Sequence, residues 1–148
     1  MMRINVYTIG FAQTPAEEFF TKLLSAGVRK VIDVRLNNTS QLSGFSKKDD
    51  LKFFLGRIAQ IEYEHLLVLA PTVEMFTEFK NKKDSWEVYQ RKFLDLLQDR
   101  RIHEVLGPSQ FENGCLLCSE REPHFCHRRL VVEYLNRHWN GELSVTHL

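Results

Sequence analysis

The sequence predicts one α/β domain over residues 1–148, with an open, mostly parallel sheet of about five strands and helices on both faces. Two observations predict this fold. Short apolar segments alternate with amphipathic helical segments along the chain, without internal repeats. A length of 148 residues with 43% hydrophobic and 26% charged residues fits a single hydrophobic core.

The first strand, helix and second strand have the clearest signals. Residues 3–9 alternate β-branched and polar side chains and stop at Gly10, as a strand followed by a turn does. Residues 14–17 match a capping box with proline at the first helical position, so we expect a helix that begins there and ends at Gly27. Residues 28–34 then predict a buried strand.

The rest of the chain continues the alternation. A polar loop over residues 36–46 precedes a helix with apolar residues from Leu51 to Ile58, and residues 61–69 predict a third strand that ends before Pro71. The remaining expected elements are two helices on either side of the charged link 80–84, a strand over 114–119, a helix over 126–139 and a closing strand over 143–148.

Charge and cysteine content limit the function classes. The formal net charge of +1 gives no protein-wide field for nucleic acid or an anionic membrane, so any nucleic-acid contact must be a local patch. The chain has neither a secretory signal nor an apolar stretch of the ~20 residues that a membrane span needs, which predicts a cytoplasmic protein without a membrane partner. Three closely spaced cysteines predict reduced thiols.

Reactive side chains concentrate in residues 115–129, where a short apolar segment opens into thiols, imidazoles, carboxylates and guanidiniums. If the strands run parallel, the same sheet edge also receives the residues at the ends of the first three strands. The sequence therefore predicts one strand-end pocket. The residues expected near it are Tyr7, Gly10, Asp33, Arg35, Tyr63, His65, Cys118, Glu120 and Arg128.

The catalytic candidates are Cys118, Glu120 and His65. Arg121, Arg128 and the N-terminus of the last helix are candidate stabilisers of a Cys118 thiolate, which would make it a nucleophile. The alternative is a partly buried structural cysteine. Glu120 and His65 are the available proton carriers, and their ordinary alternatives are a surface carboxylate and a hydrogen-bonded strand histidine.

An anion is the ligand class that these residues predict. Guanidinium groups bind phosphate or carboxylate through two parallel hydrogen bonds, so Arg35 and Arg128 are the expected anion ligands. The alternative for Arg35 is an ion pair with Asp33 that closes the top of the sheet. Four aromatic residues either stack a base or pack in the core: Tyr7, Phe45, Tyr63 and Tyr89.

A zinc site is the alternative use of the thiols. Residues three apart on an extended strand point to opposite faces, so Cys115 and Cys118 cannot both face one ion. We therefore expect no bound metal and expect Cys115 to be a core thiol. The four nominal ligands are Cys115, Cys118, Cys126 and His127.

Two short motifs, Cys118-Ser-Glu120 and Cys126-His127-Arg128, are the sharpest part of a pattern that runs from end to end. In this pattern the chain resembles the bacterial and archaeal family called domain of unknown function 488. The resemblance implies that further matched positions contribute to substrate binding, Ser40, Phe45, Tyr89, Cys126 and His127 among them. The other matching stretches are Tyr7-Thr-Ile-Gly10, Val31-Ile-Asp-Val-Arg35, Gly44-Phe45 and Tyr63-Glu-His-Leu66.

Two positions depart from the commoner form of that family. Asn38 stands where a proline is frequent and Leu69-Ala-Pro71 replaces a Leu-Gly-Gly turn, so we expect the pocket rim and the substrate to differ. A second, local resemblance links residues 31–35 to a strand of rhodanese sulfurtransferases. The rhodanese cysteine loop is a tight turn rich in main-chain amides, whereas residues 119–123 contain no glycine, so ordinary rhodanese chemistry is not expected.

We therefore predict a pocket that binds or processes an anionic small molecule or nucleotide-like group, and we expect an enzyme. Two alternatives stay open: a non-catalytic module that holds a nucleotide or the end of a nucleic acid, and a thiol-dependent enzyme of the sulfur-transfer type. A reactive Cys118 favours an enzyme, whereas an inert Cys118 with tight ligand binding favours the module.

Overall fold

The computed structural model describes residues 3–39, 44–120 and 122–148. The strands within these ranges are β1 (Ile4–Gly10), β2 (Lys30–Asp33), β3 (Glu62–His65), β4 (Gly114–Cys118) and β5 (Leu143–His147). They form one sheet in the order β3-β2-β4-β1-β5, and all four strand pairs are parallel.

The described helices are α1 (Ala16–Ala26), α2 (Lys48–Phe54), α3 (Val73–Lys80), α4 (Trp86–Asp99), α5 (Ile102–Val105) and α6 (His127–His138). A π-helical turn over Leu55–Ala59 continues α2. Single 3-10 turns lie at Gly44–Ser46, Leu67–Leu69 and Pro108–Phe111. None of the described helices has the length and apolar character needed to cross a membrane.

Each face of the sheet carries its own hydrophobic core. On the first face, Phe19 of α1 and Leu117 of β4 share one cluster of buried side chains. On the second face, Phe93 of α4 and Leu130 of α6 share another with Leu116. Neighbouring strand residues point to opposite faces, so Leu116 and Leu117 belong to different cores. The predicted α/β fold with helices on both faces is confirmed.

Strand β4 is buried along its whole length because it occupies the centre of the sheet. Its first residue, Gly114, lies so close to its neighbours that an added Cβ atom would sit 3.0 Å from Cδ1 of Ile32 and 3.1 Å from the main-chain oxygen of Phe111. A side chain at this position would therefore push against Ile32 and the Phe111 main chain where β4 enters the sheet.

The strand order creates a crevice at the carboxyl edge of the sheet. Strands β2 and β4 are neighbours, but the chain continues from β2 to β3 on one side and from β4 through α6 to β5 on the other. Connections that leave two adjacent parallel strands in opposite directions open a gap at their carboxyl ends, which is where open α/β sheets bind ligands.

Two local predictions differ from the structure, and one short helix was not predicted. The capping box over residues 14–17 is wrong: Pro15 is the N-cap of α1 without a side-chain cap, and the Thr14 hydroxyl donates to the main-chain oxygen of Ala12. The third strand ends at His65, earlier than predicted, because the chain turns into a 3-10 segment there. Helix α5 is too short to show a helical period in the sequence.

Candidate functional site

A cleft of about 640 Å³ lies at the carboxyl edge of the sheet, within the size range of small-molecule sites. One side consists of residues that follow β2 and β4, and the other of α3 and the residues after it. Four residues from the sequence-predicted set line it: Arg35, Cys118, Glu120 and His127.

Arg35 forms a buried ion pair with Asp33 beside the cleft. Its Nε donates to Oδ1 of Asp33 at 2.9 Å and its Nη2 donates to Oδ2 at 2.8 Å. Oδ1 also accepts the main-chain N–H of Arg35 at 3.1 Å, which fixes the turn after β2. Burial raises the pKa of the Asp33 carboxyl, but the hydrogen bonds and charge of Arg35 outweigh it and hold that pKa below its ordinary value.

The third guanidinium nitrogen of Arg35, Nη1, is buried and has no hydrogen-bond partner among the described residues. The guanidinium carbon lies 5.2 Å from the centre of the Phe11 ring, so an aromatic face covers part of the group. A buried donor without a partner costs about 1–3 kcal/mol. Arg35 therefore has hydrogen-bonding capacity left after its pairing with Asp33.

Tyr63 and His65 contact this ion pair and its turn. The Tyr63 hydroxyl donates to Oδ2 of Asp33 and accepts a hydrogen bond of 3.1 Å from the Asn38 side-chain amide. Burial and the Asp33 carboxylate raise the pKa of Tyr63. Nε2 of His65 bonds to the main-chain oxygen of Arg35 at 2.7 Å. Both side chains hold the cleft wall in place, and neither lines the cleft.

Cys118 and His127 form a buried thiol–imidazole pair at the cleft. Sγ of Cys118 lies 3.5 Å from Nδ1 of His127, and Nε2 of His127 lies 2.7 Å from the main-chain oxygen of Val34. A carbonyl oxygen only accepts, so Nε2 carries the proton that it donates. In the neutral ring Nδ1 then presents its lone pair to Cys118.

The three cysteines have different environments. A hydrogen bond from Cys126 holds the pKa of Cys118 below its ordinary value against the effect of burial, with help from the Arg128 charge. Burial and the nearby Cys118 raise the pKa of Cys126. Cys115 faces the opposite core, where burial raises its pKa. Cys115 and Cys118 thus face opposite sides of the sheet, as predicted.

Arg128 lies under the loop between β4 and α6 and is fully buried. Its Nη1 donates to the main-chain oxygen of Glu120 at 2.5 Å. It is not among the residues that line the cleft, so the structure places it as a support for the Glu120 loop and a nearby positive charge for Cys118. Glu120 itself is exposed at the cleft.

Three predicted site residues pack elsewhere. Tyr7 is half-buried against the first-face core, together with Phe45, whose ring lies 5.3 Å from that of Phe19. Tyr89 is buried in the second core, 4.8 Å from the Phe79 ring, and burial raises its pKa.

Gly10 lies at the end of β1, opposite Cys118 in the strand register, and does not line the cleft. Ser40 and Arg121 lie outside the described residues. The first was expected to bind substrate and the second to stabilise the thiolate, and both stay predictions.

Sequence reasoning missed the wall that α3 provides. Phe76 is 40% exposed, and no residue of α3 is fully buried. Its apolar residues recur at the spacing of a core-facing helix, and this spacing does not indicate a cleft wall. The available signal was the basic run that follows the two aromatics. The missed lining residues include Phe76, Phe79, Lys80, Lys82 and Ser119.

One group of side chains has metal-ligating chemistry among the described residues. The donor atoms of Cys118, Cys126 and His127 all lie within 4.8 Å of one another, and all three residues are buried. Two thiols and an imidazole can bind a soft or borderline divalent ion, or the pair at the cleft can act as a nucleophile and its base.

The chain was compared with known proteins at three levels. No curated protein and no solved structure matches it. A family model does match, over residues 15–135, which include β2, β3, β4 and most of α6 and therefore Arg35, Cys118, Glu120 and His127. The chain belongs to the family described as "Domain of unknown function DUF488".

Proposed function

We propose that the cleft binds an anionic small molecule through a phosphate or carboxylate group, with Arg35 as its principal anion ligand. The observation that carries this proposal is the buried Nη1 of Arg35, which has no partner among the described residues although Arg35 lines the cleft. An anion oxygen is the acceptor that a guanidinium binds best. Lys80 and Lys82, both exposed on the cleft wall, add positive charge.

The rest of the ligand has a planar aromatic face, as the base of a nucleotide does. Phe76 and Phe79 provide aromatic surface on the wall formed by α3. Bases stack on aromatic side chains with a contribution of about 1–3 kcal/mol each. A cleft that combines a guanidinium with aromatic surface favours a nucleotide-like group over a bare inorganic anion.

Processing of the bound molecule requires reactive groups, and two line the same cleft. Cys118 offers a thiol paired with His127, and Glu120 offers an exposed carboxylate two residues later. Glu120 is our candidate proton carrier because it is the predicted acid that lines the cleft, whereas His65 bonds to the main chain of Arg35.

Calorimetric titration with inorganic phosphate, a nucleoside and the matching nucleoside monophosphate tests this function. We expect the monophosphate to bind most tightly. Arg35→Lys keeps the charge but loses the planar fork, and one lost charge-assisted bond of about 1.5–3 kcal/mol weakens binding roughly tenfold or more. The matched control is Arg29→Lys, an exposed residue just before β2 at the opposite edge of the sheet.

Two outcomes would contradict the proposal. Equal affinity of the wild type for nucleoside and nucleoside monophosphate would show that the phosphate group does not contribute to binding. Unchanged monophosphate affinity in Arg35→Lys, with the melting temperature lowered, would show that Arg35 serves only as the buried partner of Asp33.

A thiol-dependent reaction is the second candidate, and the Cys118–His127 pair favours it. A nucleophile within hydrogen-bond reach of a base, with the base oriented by a third group, is the usual arrangement for covalent catalysis. Here the Val34 main-chain oxygen orients His127. Iodoacetamide should alkylate Cys118 of the metal-free protein faster than the core thiol Cys115. Equal inertness of both thiols would favour a non-catalytic binding module.

A further inference from the structure

Cys118, Cys126 and His127 come from two separate elements but meet at one point. Cys118 is the last residue of β4, whereas Cys126 is the N-cap of α6 and His127 its first helical residue. Their donor atoms lie within 4.8 Å of one another. Two thiols and one imidazole form a ligand set that zinc-like ions use, with a fourth position left for water or substrate.

The spacing of one donor pair fits a shared ion. Zinc–sulfur and zinc–nitrogen distances of about 2.3 Å and 2.0–2.1 Å at a tetrahedral angle put the two donor atoms roughly 3.6 Å apart. Sγ of Cys118 lies 3.5 Å from Nδ1 of His127. This pair can therefore bind one ion without a change of separation.

The second ring nitrogen of His127 has the partner that metal-binding histidines need. Nε2 lies 2.7 Å from the main-chain oxygen of Val34, and that oxygen only accepts a hydrogen bond. Such an outer contact fixes the tautomer and the ring orientation and leaves the other nitrogen to the metal. The Phe93 ring packs edge-on against the imidazole at 5.4 Å, which further restricts its rotation.

We propose that Cys118, Cys126 and His127 bind one divalent ion of the zinc type at the wall of the cleft. Cys115, whose position on the strand led us to expect no metal, lies on the other face of the sheet and takes no part in this set. Cys118 and His127 both line the cleft, so an ion that they bind would border it. The inference rests on these three side chains and is independent of anion binding by Arg35.

Cobalt(II) is the probe for this site because thiolate ligands give it charge-transfer absorption that zinc lacks. Reduced, metal-free protein is titrated with Co²⁺ and then with Zn²⁺. We expect the thiolate band to saturate at one Co²⁺ per chain and to disappear as Zn²⁺ displaces the cobalt. Cys118→Ser and Cys126→Ser should lose the band. Cys115→Ser, the matched control, and Arg35→Lys should keep it.

A second measurement on the wild type covers the case in which a ligand variant does not fold. Iodoacetamide labelling followed by mass spectrometry is carried out with and without Zn²⁺, and the ion should slow alkylation of Cys118 at least tenfold. A wild type without a saturable cobalt band, a band of full intensity in Cys126→Ser, or equal labelling of Cys118 with and without Zn²⁺ would each overturn the metal site.

Discussion

Two cavities on this domain differ in almost every physical respect. The groove between α1 and α2, of about 380 Å³, is walled mainly by Phe20, Leu24, Phe45, Phe54 and Ile58. The cleft at the carboxyl edge of the sheet instead combines an arginine, lysines, carboxylates, a thiol and an imidazole with aromatic surface. Apolar side chains such as those of the groove stabilise the fold but provide no reactive groups. Polar groups that converge on a cleft cost folding free energy, but they can bind and position a ligand.

The largest expected effect concerns the buried ion pair behind the cleft. Asp33→Ala leaves the Arg35 charge buried without its carboxylate, and we expect a loss of about 3–5 kcal/mol in the free energy of unfolding, measured in urea. The control is Glu64→Ala, which breaks a more exposed pair with Lys30 and should cost less than about 1 kcal/mol. An equal loss of unfolding free energy in both variants would show that burial does not make the Asp33–Arg35 pair more important for stability than the Lys30–Glu64 pair.

A similar loss of stability in the groove should leave ligand binding unchanged. The Phe20 ring is 6% exposed and lies 5.2 Å from that of Phe19 and 5.9 Å from that of Phe45. Phe20→Ala should therefore lower the free energy of unfolding by about 3 kcal/mol. Leu24→Ala, at a half-exposed position of the same helix, should change it by no more than about 0.5 kcal/mol. A change in nucleotide affinity in Phe20→Ala would contradict the view that the groove serves stability and the cleft serves binding.

Acid should weaken the cleft wall through Asp33. Its folded-state pKa lies below the ordinary value of 3.8, so the carboxylate contributes stability that is present above that value and is lost as the pH falls below it. Urea unfolding of the wild type from about pH 5 to about pH 3 should show this loss. Asp33→Asn should lack it, while Glu64→Gln should follow the wild type. If the free energy of unfolding changed with pH in the same way in the wild type and in Asp33→Asn, the loss of stability in acid could not be due to Asp33.

The smallest expected effect on stability comes with a specific effect on binding. Phe76→Ala removes an exposed ring from the cleft wall, so the free energy of unfolding should change by no more than about 0.5 kcal/mol. Nucleoside monophosphate affinity should fall about tenfold, while affinity for inorganic phosphate should stay the same. The control is Phe53→Ala on α2, which is 57% exposed and should change neither affinity. Equal weakening for phosphate would mean that Phe76 shapes the anion subsite.

The sequence was sufficient to predict the sheet, because apolar segments such as β4 are short, buried and bounded by polar residues. It also indicated Arg35 and Cys118, since Cys118 is the last residue of β4 and Arg35 lies two residues after the end of β2. Strand order depends on long-range pairing that no local pattern encodes. Tyr7 was expected at the cleft as a residue of the first strand, but it lies three residues before the end of β1 and packs against the first core.

Side-chain direction was the second quantity that the sequence could not supply. Arg128 and Phe76 show this in opposite ways. Arg128 follows a reactive motif but points under the loop to the Glu120 main chain, whereas Phe76 has the spacing of a core residue but lines the cleft. Both directions depend on how a helix rotates against the sheet, and that rotation is fixed only when the whole core packs.

The place of β4 in the sheet also determines how this chain can fold. Strand β1 pairs with β4 and β5, and β2 pairs with β3 and β4. The first two strands of the chain, β1 and β2, are therefore joined in the sheet through β4, which begins at Gly114. The entropy cost of closing long loops comes before the hydrogen bonds of these strand pairs form, and this cost slows folding. A growing chain that ends before Gly114 lacks its central strand, and we expect it to stay unfolded until that strand is available.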